Sequence, residues 1–217
     1  MLTPAQMHLP ATGDVRRTFQ ENGFVLVRDF LGEDASAEIA ALASDVLGRR
    51  GVHITRPSGN DTLDYRVVTG DVIQAEAGAI YTLYTSSDLL TWIREVTGIK
   101  DVGRSPHLRS AVNINCLDTC GQRYPWHNDA VPFTVLLFLT TLPEPAGGEF
   151  LIRTGPDDVV TVRPESGLLL LMDGKRCAHA VAPLLEDAYR LSVPMVFPAV
   201  PTRRPAGLDD FLYSAQA

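Results

Sequence analysis

From Ser110 to Phe197 the chain is a succession of short runs rich in Val, Leu, Ile, Phe and Thr, recurring at intervals of roughly ten residues and punctuated by turn residues. Strands are expected near Ser110–Leu117, Trp126–Ala130, Phe133–Thr141, Gly148–Arg153, Val159–Arg163, Gly167–Leu171, His179–Leu184 and Tyr189–Phe197. The breaks between them include Pro143-Glu144-Pro145-Ala146-Gly147, Pro164-Glu165-Ser166, Asp173-Gly174 and Glu186-Asp187. Connections of hairpin length impose antiparallel pairing. About eight such strands flanked by helices give a mainly β fold with a jelly-roll core, the double-stranded β-helix of cupin-like proteins.

The first half mixes helices with short strands. Asp14 is expected to cap a helix reaching Glu21, and Phe24 to Asp29 reads as a buried strand. Asp34 is expected to cap a second helix, with Ile39, Leu42 and Val46 on one stripe and Gly51 after its end. A third starts near Ser86 or Ser87, carries Leu89, Trp92, Ile93 and Val96 on one face, and meets Gly98. Arg56 to Ala79 shows little periodicity and reads as a surface loop or as a lid over a site. At 217 residues the chain is read as a single domain, 1–217. Residues 1–105 form its N-terminal support and possible lid, 106–200 the jelly-roll core, and 201–217 a C-terminal tail.

Charge and patterning narrow the partners. The formal charge is −7 and the basic residues are scattered, which argues against a nucleic-acid partner. No run of 18 apolar residues exists, so no membrane span is expected. Met1 to Gly13 lacks the basic start and apolar stretch of a secretion signal. Cys116, Cys120 and Cys177 make an odd number, read as free thiols in a reducing cytoplasm. A small-molecule substrate and a monomer or homodimer are expected.

The chemistry concentrates in a few positions. His127 and Asp129 close the segment Tyr124-Pro125-Trp126-His127-Asn128-Asp129, His179 follows 50 positions after Asp129, and Arg190 and Ser192 come next. On a strand, residues two apart share a face, so His127 and Asp129 can grip one ion, with His179 arriving from another strand. Two imidazoles and a carboxylate form the facial triad of non-haem iron(II) sites, which leaves coordination positions open for catalysis. The competing reading of His127 is a strand histidine bonded to Asp129. Arg190 sits among Leu191, Val193, Met195 and Val196, where a buried guanidinium requires an anion. Its planar fork suits a carboxylate, either an internal acidic residue or a ligand.

These residues resemble those of the iron(II)- and 2-oxoglutarate-dependent oxygenases: His127-x-Asp129, His179 and Arg190-x-Ser192 in that order, with Gly147-Gly148-Glu149-Phe150 between. The resemblance covers about Arg109 to Phe197, and more weakly Glu21 to Leu31. Trp126-His127-x-Asp129 and the run from His179 to Arg190 further resemble small bacterial enzymes of free amino acids, radical halogenases and related hydroxylases. The resemblance implies that Fe(II) binds His127, Asp129 and His179, with no catalytic residue needed beyond these ligands. It implies that Arg190 and Ser192 hold the far carboxylate of 2-oxoglutarate, and that dioxygen converts this co-substrate to succinate while the substrate is hydroxylated. Halogenases of this group replace the carboxylate ligand by Gly or Ala to admit chloride. The presence of Asp129 therefore favours oxygen insertion.

Around this centre, Asn115 and Tyr124 are expected to help bind the co-substrate. Asn113, Trp126 and Phe133 are expected to line the substrate pocket, and Arg104 and Arg109 to receive a substrate carboxylate. The expected reaction is hydroxylation of a small metabolite, a free or derivatised amino acid, in a specialised biosynthetic pathway. Desaturation, cyclisation or epoxidation at the same centre are alternatives. So are a non-oxidative cupin-type metal enzyme, which has no use for Arg190 and Ser192, and a non-catalytic jelly-roll binding protein.

Overall fold

The computed structural model describes residues 6–58, 61–199 and 206–213. The N-terminal part contributes α1 (Thr12–Asn22), β1 (Phe24–Val27), α2 (Glu33–Arg50), β2 (Val52–Ser58) and β3 (Asp61–Val68). Helices α3 (Gly70–Glu76), α4 (Gly78–Thr85), α5 (Ser87–Thr97) and α6 (Leu108–Ala111) follow. The strands of the second half are β4 (Ile114–Leu117), β5 (Tyr124–His127), β6 (Phe133–Phe138), β7 (Phe150–Arg153), β8 (Val159–Val162), β9 (Leu169–Asp173), β10 (His179–Val181) and β11 (Arg190–Phe197). A short helix, α7 (Leu208–Tyr213), lies near the C-terminus.

All pairings are antiparallel, in a seven-stranded sheet ordered β1-β9-β6-β11-β4-β3-β2 and a four-stranded sheet ordered β5-β10-β7-β8. This is the expected double-sheet jelly roll, with three N-terminal strands extending the larger sheet. Side-chain alternation divides that sheet's two faces between two cores. Val135, Leu137, Leu191, Val193 and Met195 face the helices. Leu136, Phe138, Leu170 and Met172 face Phe150, Ile152 and Val181 of the smaller sheet. Such a strand, buried on both faces, reads as a continuous apolar run, as β6 does (Phe-Thr-Val-Leu-Leu-Phe).

Helix α5 begins as its sequence implies: Ser86 is the N-cap and its hydroxyl accepts from the Leu89 N–H, an interaction worth about 1 kcal/mol. Asp14 and Asp34 do not cap. Ala11 and Gly32 hold the N-cap positions without a side-chain bond, and the two aspartates fall in the first turns, where they complement the helix dipole. The span Arg56 to Ala79 is not a loop. Its described part is the β2–β3 hairpin followed by α3 and α4, and the period-two alternation of Leu63, Tyr65 and Val67 marks β3. Ser110 and Ala111 belong to α6, so the expected first strand is confined to Ile114–Leu117. Of the expected tail, 201–205 and 214–217 lie outside the described residues. No helix among the described residues is long and apolar enough to cross a membrane.

Candidate metal centre and active site

His127 ends β5 and His179 opens β10, directly opposite in register, which sets their rings at 4.2 Å between centroids. Across this pair Tyr124 opposes Val181, so three residue steps on β5 match two on β10. The extra residue is a β-bulge, which redirects the side chains beyond it. It explains how Tyr124 and His127, three apart, both line the cavity between the sheets. Each imidazole donates its Nδ1–H to a carbonyl oxygen, His127 to Pro125 at 2.8 Å and His179 to Cys177 at 3.0 Å. Both Nε2 lone pairs are thereby left for a metal, with their rings already oriented. They lie 3.8 and 3.6 Å from Asp129 Oδ1. Burial, opposed by the Asp129 charge, lowers the pKa of His179, which favours the neutral form that ligates. Among the described residues this is the one group of three His, Cys, Asp or Glu side chains close enough to share an ion. Cys116-x-x-x-Cys120 forms no such group.

Asp129 reaches the pair by a route different from strand alternation. β5 stops at His127, and Asp129 is held in the following loop, where its backbone N–H donates to the Gly174 carbonyl at 2.9 Å. A Cβ at residue 174 would sit 2.3 Å from Asp129 Oδ2, so glycine is required for this approach. The Thr134 hydroxyl donates to Oδ2 at 2.6 Å, which occupies one carboxylate oxygen and leaves Oδ1 facing the histidines.

Arg190 does not lie on a strand beside His179. β10 belongs to the smaller sheet and β11 to the larger, so the triad and the guanidinium face one another across the cavity. Arg190 is 3% exposed; Nε donates to the Gly148 carbonyl at 2.8 Å, Nη1 reaches Ser192 Oγ at 3.5 Å, and Nη2 is buried without a partner. Gly148 adopts φ 73°, and a Cβ there would press on Leu184, Leu142 and the Arg190 chain, which accounts for the Gly147-Gly148 pair. No carboxylate of the described residues pairs with Arg190. Burial lowers its pKa to about 10, so it remains charged at neutral pH.

Tyr124 and Asn115 border the same space. Asn115 donates to the Tyr124 hydroxyl at 3.3 Å, while its Oδ1 is buried without a donor. Burial raises Tyr124 well above the usual tyrosine pKa and keeps it a neutral donor. Asn113 lines the cavity with Oδ1 accepting from the Tyr213 hydroxyl at 2.9 Å.

Four expected pocket residues lie elsewhere. Arg104 donates to the carbonyls of Tyr84, Thr85 and Ser86, closing the end of α4. Arg109 pairs with Asp210 and the Tyr213 carbonyl, fastening α7. Trp126 is 41% exposed on the outer face, with the Arg153 guanidinium over its ring. Phe133 packs in the helix-facing core against Phe19, because odd positions of β6 point that way while Thr134 and Leu136 face the cavity. Lining residues that sequence reasoning missed include Thr134, Arg56 and Tyr65 from the β2–β3 hairpin, and Leu208, Leu212 and Tyr213 of α7. With the triad and Arg190 they line a cavity of about 390 Å³ with a mainly apolar lining, a size suited to small-molecule ligands.

Solved structures share this architecture. An oxidoreductase of the 2OG-Fe(II) oxygenase family from Burkholderia pseudomallei aligns over 92% of this chain and 97% of its own, at 17% identity and TM-score 0.72. The non-haem α-ketoglutarate-dependent epimerase SnoN of nogalamycin biosynthesis aligns over 94% and 90%, at 18% identity and TM-score 0.72. A prolyl hydroxylase from Trichoplax adhaerens aligns over 93% and 91%, at 22% identity and TM-score 0.68. No curated protein matches the sequence. The fold is that of the 2OG-Fe(II) oxygenases. A family model described as Halogenase D matches residues 8–155, more than half of the chain, and to that family the chain belongs.

Proposed function

We propose that the protein is a non-haem iron(II)- and 2-oxoglutarate-dependent dioxygenase that hydroxylates a small metabolite, an amino acid or its derivative in a biosynthetic pathway. The observation that carries this reading is Arg190. A buried, charged guanidinium with an orphaned Nη2 in the cavity of a His-Asp-His cluster supplies the two things that a chelating dicarboxylate requires. A non-oxidative metal enzyme on the same barrel would need the cluster and leave this costly cation unexplained.

The donor set fits ferrous iron: two neutral imidazole nitrogens and one carboxylate oxygen, with protein ligands on one side only. When bound, iron with 2-oxoglutarate and dioxygen supplies oxidation of an unactivated C–H bond, coupled to release of succinate and carbon dioxide. His127, Asp129 and His179 would hold the metal; Arg190 and Ser192, with the Tyr124 hydroxyl, would hold the far carboxylate. Thr134 fixes the Asp129 carboxylate, and the apolar walls of Leu136, Phe150 and Val181 exclude water. Asp129 fills the position at which the radical halogenases carry Gly or Ala, which supports oxygen insertion for this member of the family.

A screen of free and derivatised amino acids for 2-oxoglutarate-dependent succinate release, with mass spectrometry of the products, tests the proposal. Gain of one oxygen is expected. Relatives of the same fold include an epimerase and a carbocyclase, so loss of two hydrogens, or no change in mass, would replace hydroxylation by another outcome. Turnover without 2-oxoglutarate would refute the reading.

A further inference from the structure

Among the described residues, charge bookkeeping in the cavity leaves one cation over. On the functional reading above, the two charges of ferrous iron and that of Arg190 are balanced by Asp129 and the two carboxylates of 2-oxoglutarate. Arg56 remains. It projects from β2 on the same face as buried Ile54 and lines the cavity. Its guanidinium carbon lies over the Phe211 ring of α7, 4.9 Å from the ring centroid. No carboxylate of the described residues pairs with it, and its Nε is buried with no hydrogen-bond partner.

A second unsatisfied group has the opposite need. Asn115 Oδ1, in the same cavity, is a buried acceptor without a donor. A carboxamide oxygen takes a neutral N–H or O–H well but does not neutralise an ammonium. Asp129 is the one carboxylate among the described lining residues, and the Thr134 hydroxyl and the metal position already claim it. Among the described residues, a bound ammonium group would therefore find no free anion in the cavity to receive it.

We propose that Arg56 is the anion-reading residue of a substrate subsite, and that the substrate is a monoanionic acid with an apolar body and a neutral N–H or O–H donor, such as an N-acylated amino acid, and not a free amino acid. Arg56 takes the acid group, Asn115 accepts from the neutral donor, and Leu208, Leu212 and Tyr213 cover the apolar body. The β2–β3 hairpin and α7 are thus the specificity-determining elements. This inference rests on the oxygenase reading and narrows its substrate class.

The test uses the full chain loaded anaerobically with Fe(II) and 2-oxoglutarate. Isothermal titration calorimetry compares N-acetyl forms of leucine, valine, methionine and phenylalanine with the corresponding free amino acids and N-acetyl amides. In at least one set the N-acetyl acid should bind tenfold or more tighter than both its free amino acid and its neutral amide, and Arg56→Met should remove that preference. Free amino acids binding as well as their N-acetyl forms, no preference of acid over amide in any set, or a preference that survives Arg56→Met would each overturn the proposal. The visible charge-transfer band of the same samples reports iron and co-substrate separately. A band without anion preference defeats this inference alone, whereas no band defeats the oxygenase reading and the inference with it.

Discussion

Replacing Arg190 by methionine separates a guanidinium kept for a ligand from one kept for structure. Burial lowers the Arg190 pKa from 12.5 to about 10. At about 1.4 kcal/mol per pH unit this is roughly 3–4 kcal/mol against the charged form. Below pH 10 the group is charged in both folded and unfolded chains, so at neutral pH the whole penalty falls on the folded state. Stability from this source would be regained only as pH rises from about 10 towards 12.5. Arg190→Met relieves that penalty and loses the charged hydrogen bond to Gly148, worth about 1.5–3 kcal/mol. The two nearly cancel, so the variant should lie within about 2 kcal/mol of the parent, a Tm change of less than roughly 8 °C. Removing one partner of a true buried ion pair would instead cost about 3–5 kcal/mol. Thermal denaturation under anaerobic conditions with Fe(II) gives the comparison. At 2-oxoglutarate about 100 times its Kd the parent should gain about 2.7 kcal/mol, and the variant nothing. A variant destabilised by 4 kcal/mol or more, or one that gains as much from 2-oxoglutarate as the parent, would refute the reasoning.

The other predictions concern the setting of Asp129. Thr134→Val removes the hydroxyl that holds Oδ2 at 2.6 Å and should weaken iron binding about 10–100-fold with little change in Tm, read by metal titration and calorimetry. Gly174→Ala places a methyl 2.3 Å from Oδ2 and should displace the carboxylate, leaving substoichiometric iron in a folded protein by circular dichroism; full occupancy would contradict the approach described. Asp129→Gly should lose hydroxylation, and with chloride present should yield chlorinated product by mass spectrometry once a substrate is in hand. Absence of any chlorination would argue that halide admission in this family requires more than an open ligand position.

The β half was legible because turn residues and apolar runs alternate at strand length, and seven of its eight strands lie largely on the expected runs, whereas β5 spans Tyr124–His127 and shares only Trp126 and His127 with its expected run. The bulge in β5 was not, since nothing in Tyr124-Pro125-Trp126-His127 marks an extra residue, and it reverses which side chains face inward. The faces of β6 were equally hidden. A run apolar at five of six positions carries no alternation, so the sequence does not show that Phe133 turns to the helices and Thr134 to the cavity. β2 escaped because an edge strand bearing His53, Thr55 and Pro57 looks polar and irregular, and Arg56 went with it. Arg104 and Arg109 show the converse error. Both are cations near the site in sequence, but helix ends and α7 claim their donors. That His127, Asp129 and His179 cluster, with Arg190 in the same cavity, could be anticipated from residue type and order, although the route by which Asp129 arrives could not.

The most direct test is an anaerobic titration of the purified protein with Fe(II) and then 2-oxoglutarate, followed by visible absorption. The account predicts one iron per chain and a charge-transfer band that grows with 2-oxoglutarate and is lost in His179→Ala. A protein that binds no iron, or a band that persists without His179, would contradict it.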